Sequence, residues 1–443
     1  MSILKSGRNA GQEVKLFQFT SGLEVDALLY PEEIRVQKAW ARALQMLGVL
    51  TPDELAKAKA SLGRAGLLMD AGTFPWRVED EDVHMNLERF VTEECGELGK
   101  KIHFGRSRND LIATTLRLYV ARRLSETVAL VRTQALALAT QAERSVDLLV
   151  PGYTHLQHGQ PIRLSLFWQA HAEALTRDLR RLEQARLGCL ERMPLGAAAL
   201  AGTPLGINLQ LIASELGFRA PTRNAYDAVG DRDFMLEALS ALALLGVHLS
   251  RFCEDIIFFS SSSVGLMTLP KDWSTGSSIM PNKRNPDVAE LTRAKCAHLL
   301  GALANGFALM KGLPSSYNGD LHELKGVVIR AFLESEKVLT VLPHFTAGLV
   351  ANGTVAKSLL GRGHLLATEM ADDLVSQGKS FRDAYKQIAA AIESAETEGL
   401  QIHEGIDRFT FETAVERRQN AGGTSKASLK ASLASLREEL GAE

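Results

Sequence analysis

Apolar residues return every three or four positions over long stretches of this chain. Between Asp110 and Leu149 they fall at Leu111, Ile112, Leu116, Tyr119, Val120, Leu124, Val128, Val131, Ala135 and Leu138, which lines one face of a helix. No proline interrupts the chain between Pro75 and Pro151, and none follows Pro343, so the sequence permits helices far longer than the usual 11–12 residues. A second periodic stretch runs from Pro161, placed as a helix start, to about Arg192. A third covers Asp231 to Ser260, a fourth Pro286 to Lys311 and a fifth His322 to Val341. Alternating strand patterns are scarce, and the β-branched pair Ile256-Ile257 continues a helical pattern. The prediction is an all-α protein built on an elongated bundle of five helices, each roughly 20–40 residues long.

The third stretch, from Met235 to Phe259, is apolar on nearly every face. Such a helix must be covered all round, which predicts association of several subunits through the bundle. Two smaller helical domains are expected to flank it, giving the division 1–105, 106–351 and 352–443. The first contains Thr51-Pro52-Asp53-Glu54, a helix-start signature, and the last contains the loop Asn420-Ala421-Gly422-Gly423-Thr424-Ser425.

Composition narrows the functions available. With 443 residues, 46% hydrophobic and 23% charged, the chain can bury a large core, and its net charge of -2 argues against nucleic acid or an anionic membrane surface as partner. The start Met1-Ser2-Ile3-Leu4-Lys5 lacks the apolar run of a signal peptide, and no long uncharged apolar stretch predicts a membrane span. Cys95, Cys189, Cys253 and Cys296 lie far apart, as isolated thiols in a reducing compartment do. The expectation is a cytoplasmic protein.

The candidate chemistry collects at the ends of the predicted helices. Residues 274–287 read Ser-Thr-Gly-Ser-Ser-Ile-Met-Pro-Asn-Lys-Arg-Asn-Pro-Asp. A hydroxyl, Ser277, on a mobile loop with Lys283 and Asn285 suits proton removal beside a carboxylate whose developing charge the cation and amide hold. An ordinary flexible loop has the same composition. Gly105-Arg106-Ser107-Arg108-Asn109-Asp110 opens the first long helix, where Ser107, Arg108 and Asn109 add donors to the helix N–H groups; a plain N-cap reads the same way. In Pro151-Gly152-Tyr153-Thr154-His155-Leu156-Gln157-His158, the two histidines lack further ligands for a metal. One of them suits a proton shuttle with Thr154 beside it, and a structural histidine is the other reading. Arg232, among Asp227, Asp231 and Asp233, suits a substrate carboxylate or a local ion pair. Tyr317 and Lys325 flank the start of the fifth helix, and Asp82-Val83-His84-Met85-Asn86 is a further polar knot with a structural reading.

Gly276-Ser277-Ser278-Ile279-Met280-Pro281-Asn282-Lys283-Arg284-Asn285-Pro286 resembles the signature of the fumarase/aspartase superfamily. Within it, His103 to Asp110, Pro151 to Gln157, Asp231-Arg232-Asp233-Phe234 and Pro194-Leu195-Gly196-Ala197 are most similar to the argininosuccinate lyases, and the similarity extends to Gly422-Gly423-Thr424. The resemblance implies a homotetramer with a 20-helix central bundle and active sites assembled from three subunits. It implies a cofactor-free, metal-free β-elimination that releases fumarate. By position, Ser277 is then the base, Lys283 and Asn285 hold the carbanion, and His155 serves the leaving group. Thr154 then sits on a carboxylate, Ser107, Arg108 and Asn109 hold the substrate, and Tyr317 and Lys325 close over the amino-acid portion; Arg232 also binds substrate, and the family's N-terminal substrate-binding serine is matched loosely near Ser21. The chain departs from the pattern at Phe104, at Gly230 in place of a serine, at Asn282 in place of a glutamine, and at His322, where the family's glutamine contacts the arginine portion. These departures leave the fumarate half intact and disturb the amine half. The implied reaction yields arginine and fumarate; a related lyase acting on another N-substituted aspartate, or a non-catalytic crystallin-like relative, are the alternatives.

Overall fold

A computed structural model describes residues 19–403 and 408–441. The Met1–Lys5 start lies outside them. Five long helices dominate: α1 (Arg108–Arg144), α2 (Leu164–Cys189), α3 (Asp233–Ser260), α4 (Asp287–Met310) and α5 (Leu321–Ala347). The all-α expectation holds. Among the described residues, no helix is long and apolar enough to cross a membrane. Of the ten apolar positions on the α1 stripe, nine are buried and Val128 is half-buried.

Three boundaries differ from the sequence reading. Pro161 does not start α2: it pairs with Pro151 inside a hairpin of β1 (Leu149–Thr154) and β2 (Gln157–Arg163), and α2 begins at Leu164. α1 stops at Arg144 because the next residues, through Leu148, lead into that hairpin. α5 continues past Val341 to Ala347 with Pro343 inside it. Proline removes one N–H from a helix, and about five turns carrying packed apolar residues upstream, from Leu324 to Leu342, hold the helix through that loss.

The chain divides into two compact units, and the division falls inside each long helix. One unit holds residues up to 127, 181–243 and 298–334. In it, helices Tyr30–Met46, Pro52–Asp70 and Val83–Cys95 pack in succession around Trp40, Leu44, Leu62 and Leu87, all 0–1% exposed. The Thr51 signature forms the expected capping box: Thr51 Oγ1 accepts from Glu54 N at 3.2 Å and the Glu54 carboxylate from Thr51 N at 2.8 Å. The other unit holds residues 128–180, 244–297 and 335 onward. There the β1–β2 hairpin packs on helices Gly353–Leu360 and Phe411–Glu416, and Tyr153 meets Phe258 and Phe259 edge-on or tilted.

Candidate active site

The Ser277 loop belongs to the second unit. A two-residue ribbon of β3 (Thr275–Gly276) and β4 (Arg284–Asn285) closes it, with Thr275 opposite Asn285 and Gly276 opposite Arg284. That register makes Ser277 and Lys283 the next facing residues at the ribbon's mouth. Asp287 ties the base by accepting from Thr275 N at 3.1 Å and from its hydroxyl, and Asn285 Nδ2 donates to Thr275 Oγ1 at 3.4 Å. Ser277 Oγ accepts from Ile279 N at 3.3 Å and Met280 N at 3.2 Å. Two N–H groups aimed at one hydroxyl oxygen favour its deprotonated form. Lys283 is exposed, and Ser277 and Asn285 are half-buried.

In the same unit, His155 and Leu156 form the two-residue tip of the β1–β2 hairpin, with φ of 54° and 56°. The mirror-image turn matches strand twist, yet each non-glycine residue there costs on the order of 1–2 kcal/mol. The strained tip is exposed and carries Thr154 and His155. The base of the hairpin is braced. Arg163, 2% exposed, donates from its backbone N to Thr424 Oγ1 at 2.8 Å and from its guanidinium to Glu416 at 2.7 Å, to Glu412, and to Val146 O at 3.2 Å. His158 takes a structural role, with its ring nitrogens on the Tyr153 hydroxyl and Arg362 O.

The first unit carries the remaining candidates. At the start of α1, Asp110 accepts from Ser107 N at 3.0 Å and also from Gly196 N and Ala198 N at 2.9 and 2.8 Å, while Ser107 Oγ accepts from Asn109 N. The local N-cap reading is therefore realised, with the Ser107 and Asn109 N–H groups taken by Asp110 and Ser107. Burial pushes the Asp110 carboxyl up against the pull of those donors. Asn109 Nδ2 donates to Ala199 O, and Arg108 pairs with Glu81 at 3.2 Å and Asp82 at 3.1 Å. Ser21 donates to Glu81 O at 3.1 Å and borders an open hollow of about 420 Å³ with Trp76. Lys325, 2% exposed, is bound 2.7 Å from the buried Asp26 carboxylate.

Arg232 is buried to 1% exposure and lines a cavity of about 310 Å³ with Asp231, Ser315 and Ser316. Its guanidinium donates to the carbonyls of Val229 and Asp231, and burial pushes it down to about 10. The local ion-pair reading thus falls to its neighbour, since Asp231 is bound by Arg117. Half-buried Tyr317 is raised by burial, against the lowering influence of Arg232 and Arg108. Gly230 has a steric cause: a Cβ there would stand 2.4 Å from Ser316 O, in a turn where Ser316 itself has φ 71°.

Sequence reading missed the acids beneath these groups. Glu33, 0% exposed, lies 2.7 Å from His84 Nδ1 and accepts from Gln37 Nε2 at 2.7 Å and Thr115 Oγ1 at 2.8 Å. Burial, the largest single influence, would raise Glu33, but the charge and hydrogen bond of His84, with the Arg106 charge and the Thr115 hydroxyl, together hold the carboxyl low. Burial likewise works to lower His84, and Glu33 with Asp82 overcomes it, so the imidazole is raised. Asn86 is structural, bonded to the backbone of Arg77 and Asp82.

Solved structures share this architecture. A variant EDDS lyase with bound fumarate superposes with a TM-score of 0.82 over 98% of this chain and 91% of its own, at 23% identity. A fumarate lyase/δ-crystallin from Brucella melitensis, bound to cobalt, does so with a TM-score of 0.75 over 97% and 95%, at 20% identity. The fold is thus the one shared by these lyases. The sequence profile of a family described as lyase matches residues 11–301, and that of the argininosuccinate lyase C-terminal region matches residues 364–415. Argininosuccinate lyase of Thermus thermophilus is 40% identical over 97% of each chain, and that of Nitratidesulfovibrio vulgaris Hildenborough 40% identical over 96% of this chain and 95% of its own. The chain belongs to the argininosuccinate lyase family and is a carbon–nitrogen lyase.

Proposed function

We propose that this enzyme cleaves argininosuccinate to arginine and fumarate, with Ser277 as the base that opens the reaction. Ser277 takes the proton from the carbon next to the one bearing the C–N bond. The electron pair passes into the adjacent carboxylate, giving an aci-carboxylate that Lys283 and Asn285 hold. It then returns to form the carbon–carbon double bond as the C–N bond breaks. His155 supplies the proton that leaves with arginine, directly or by relay. Thr154, Ser107, Arg108 and Asn109 hold the carboxylates of the fumarate half; Tyr317, Lys325, His322, Arg232 and Ser21 attend the amino-acid half, whose zwitterionic head suits the mixed charges around Asp26 and Lys325. No bound cofactor or metal is required.

The observation that carries this reading is the Ser277 hydroxyl, an acceptor for two N–H groups and set opposite Lys283. Both features stabilise the alkoxide that a serine base needs. The deciding assay follows fumarate absorbance with argininosuccinate and with other N-substituted aspartates as substrates. Fumarate from argininosuccinate is expected, and none would sink the proposal.

Association is part of the proposal. Leu244 on α3 and Leu291, Leu300 and Phe307 on α4 are 43–59% exposed in the single chain, and burying such side chains contributes roughly 1.5–3 kcal/mol each. A homotetramer whose bundles cover them would assemble each site from several subunits. Light scattering is expected to give four times the chain mass of 48.2 kDa, and a monomer would refute the assembly. Three buried thiols and one half-buried one suit action in the cytoplasm; recovery from a secreted fraction would overturn that placement.

A further inference from the structure

Gly22 and His322 occupy one another's space. A Cβ on Gly22 would lie 2.2 Å from His322 Nε2 and 2.8 Å from Cε1. The backbone of Gly22, with φ -104° and ψ 14°, is open to any L-residue, so the chain conformation does not require glycine there. The imidazole does. Its Nε2 is buried without a hydrogen-bond partner among the described residues, and burial, then the Lys325 charge, push the imidazole pKa down. The two segments are also clamped through charge. His322 lies three residues before Lys325 on α5, one helical turn away, and Lys325 binds Asp26 at the end of the turn that Gly22 begins.

We propose that His322 and Gly22 form one coupled element that sets which amine half the enzyme accepts: the missing side chain at 22 is the seat that holds the imidazole, and the seated ring shapes the wall beside Ser21 and Lys325. This rests on the reading that those residues attend the amino-acid portion of argininosuccinate. The ring edge is the far end of a flexible side chain, so Gly22→Ala displaces the imidazole before it disturbs the fold. Gly22→Ala and His322→Ala therefore injure the same thing.

The test is a double-mutant cycle on Gly22→Ala, His322→Ala and the pair, read by KM and kcat for argininosuccinate and by calorimetric binding of arginine and of fumarate. A loss of shape fit in such a pocket is worth about 10–200-fold. Each single change is expected to raise KM and weaken arginine about tenfold, with kcat and fumarate binding changed less than about threefold. The double variant is expected to match His322→Ala alone, because coupled residues are not additive. Multiplying effects, or an unchanged arginine affinity in either single variant, would overturn the coupling. If Gly22→Ala fails to fold, the seat is not formed by the ring alone, and His322→Ala, which leaves residue 22 untouched, must then still show the arginine-selective loss for the specificity role to stand. Wild-type enzyme that releases no fumarate from argininosuccinate defeats the parent reading instead, an outcome separate from a working enzyme with indifferent variants.

Discussion

Replacing Ser277 with alanine is expected to lower kcat by about 10²–10⁴, the range that a positioned acid or base supplies. KM, assembly and stability are expected to stay near their wild-type values. Among the described residues the hydroxyl accepts only from the Ile279 and Met280 N–H groups, on a loop where Ile279, Met280 and Pro281 are exposed, so its removal leaves no buried group there unsatisfied. The neighbouring Ser278 provides the control: it is exposed, and Ser278→Ala is expected to retain most of the activity. Steady-state fumarate release from both variants checks the pair of outcomes. Full turnover by Ser277→Ala would remove the hydroxyl from the role of base and shift it to another group on the loop.

The second large effect is on stability. His84→Ala is expected to cost about 3–5 kcal/mol in chemical denaturation, because it strands the Glu33 carboxylate in a fully buried site. Gln37 and Thr115 still donate to that carboxylate, which keeps the loss from growing further. The penalty should depend on pH in a defined sense. His84 is raised on folding, so its contribution is complete below its unfolded pKa near 6.5 and fades as pH climbs through the folded value. Glu33 is lowered on folding, so its contribution is complete above its unfolded pKa near 4.3 and fades as pH falls through the folded value. The gap between wild type and variant is therefore widest at about pH 4.5–6.5 and narrows at alkaline pH. A gap that is flat from pH 5 to 9, or below about 1 kcal/mol throughout, would contradict a buried ion pair.

The five long helices were legible because three-and-four spacing over 24 or more residues has few other readings, and the stripe on α1 is buried almost position for position. The β1–β2 hairpin was not. Its strands contain Pro151, Gly152, Gly159 and Pro161, residues that strand propensity disfavours, and their pairing is supported from elsewhere in the unit by helices Gly353–Leu360 and Phe411–Glu416. The Ser277 loop was legible in composition, but the N–H pair on its hydroxyl follows from backbone geometry that side-chain identity does not encode. Asp26 and Glu33 were invisible for a different reason. A buried acid in a helix looks in sequence like a solvated one, and the groups that distinguish it, Lys325 and His84, lie far along the chain. Gly22 was passed over because a glycine near a helix start has many ordinary causes, and only the nearby ring identifies this one.

The brace beneath the His155 hairpin carries a consequence for synthesis. The hairpin is a local structure, but Thr424 follows Arg163 by 261 residues. At the usual elongation rate of about 5–20 residues per second, those residues take on the order of 13–50 s to make. For that interval β1 and β2 can pair while the guanidinium of Arg163 waits in water, without Glu412, Glu416 or Thr424. The strained tip that presents His155 is therefore braced late, by residues made long after the hairpin itself, and a nascent chain that already contains every proposed catalytic side chain still lacks the anchor for one of them.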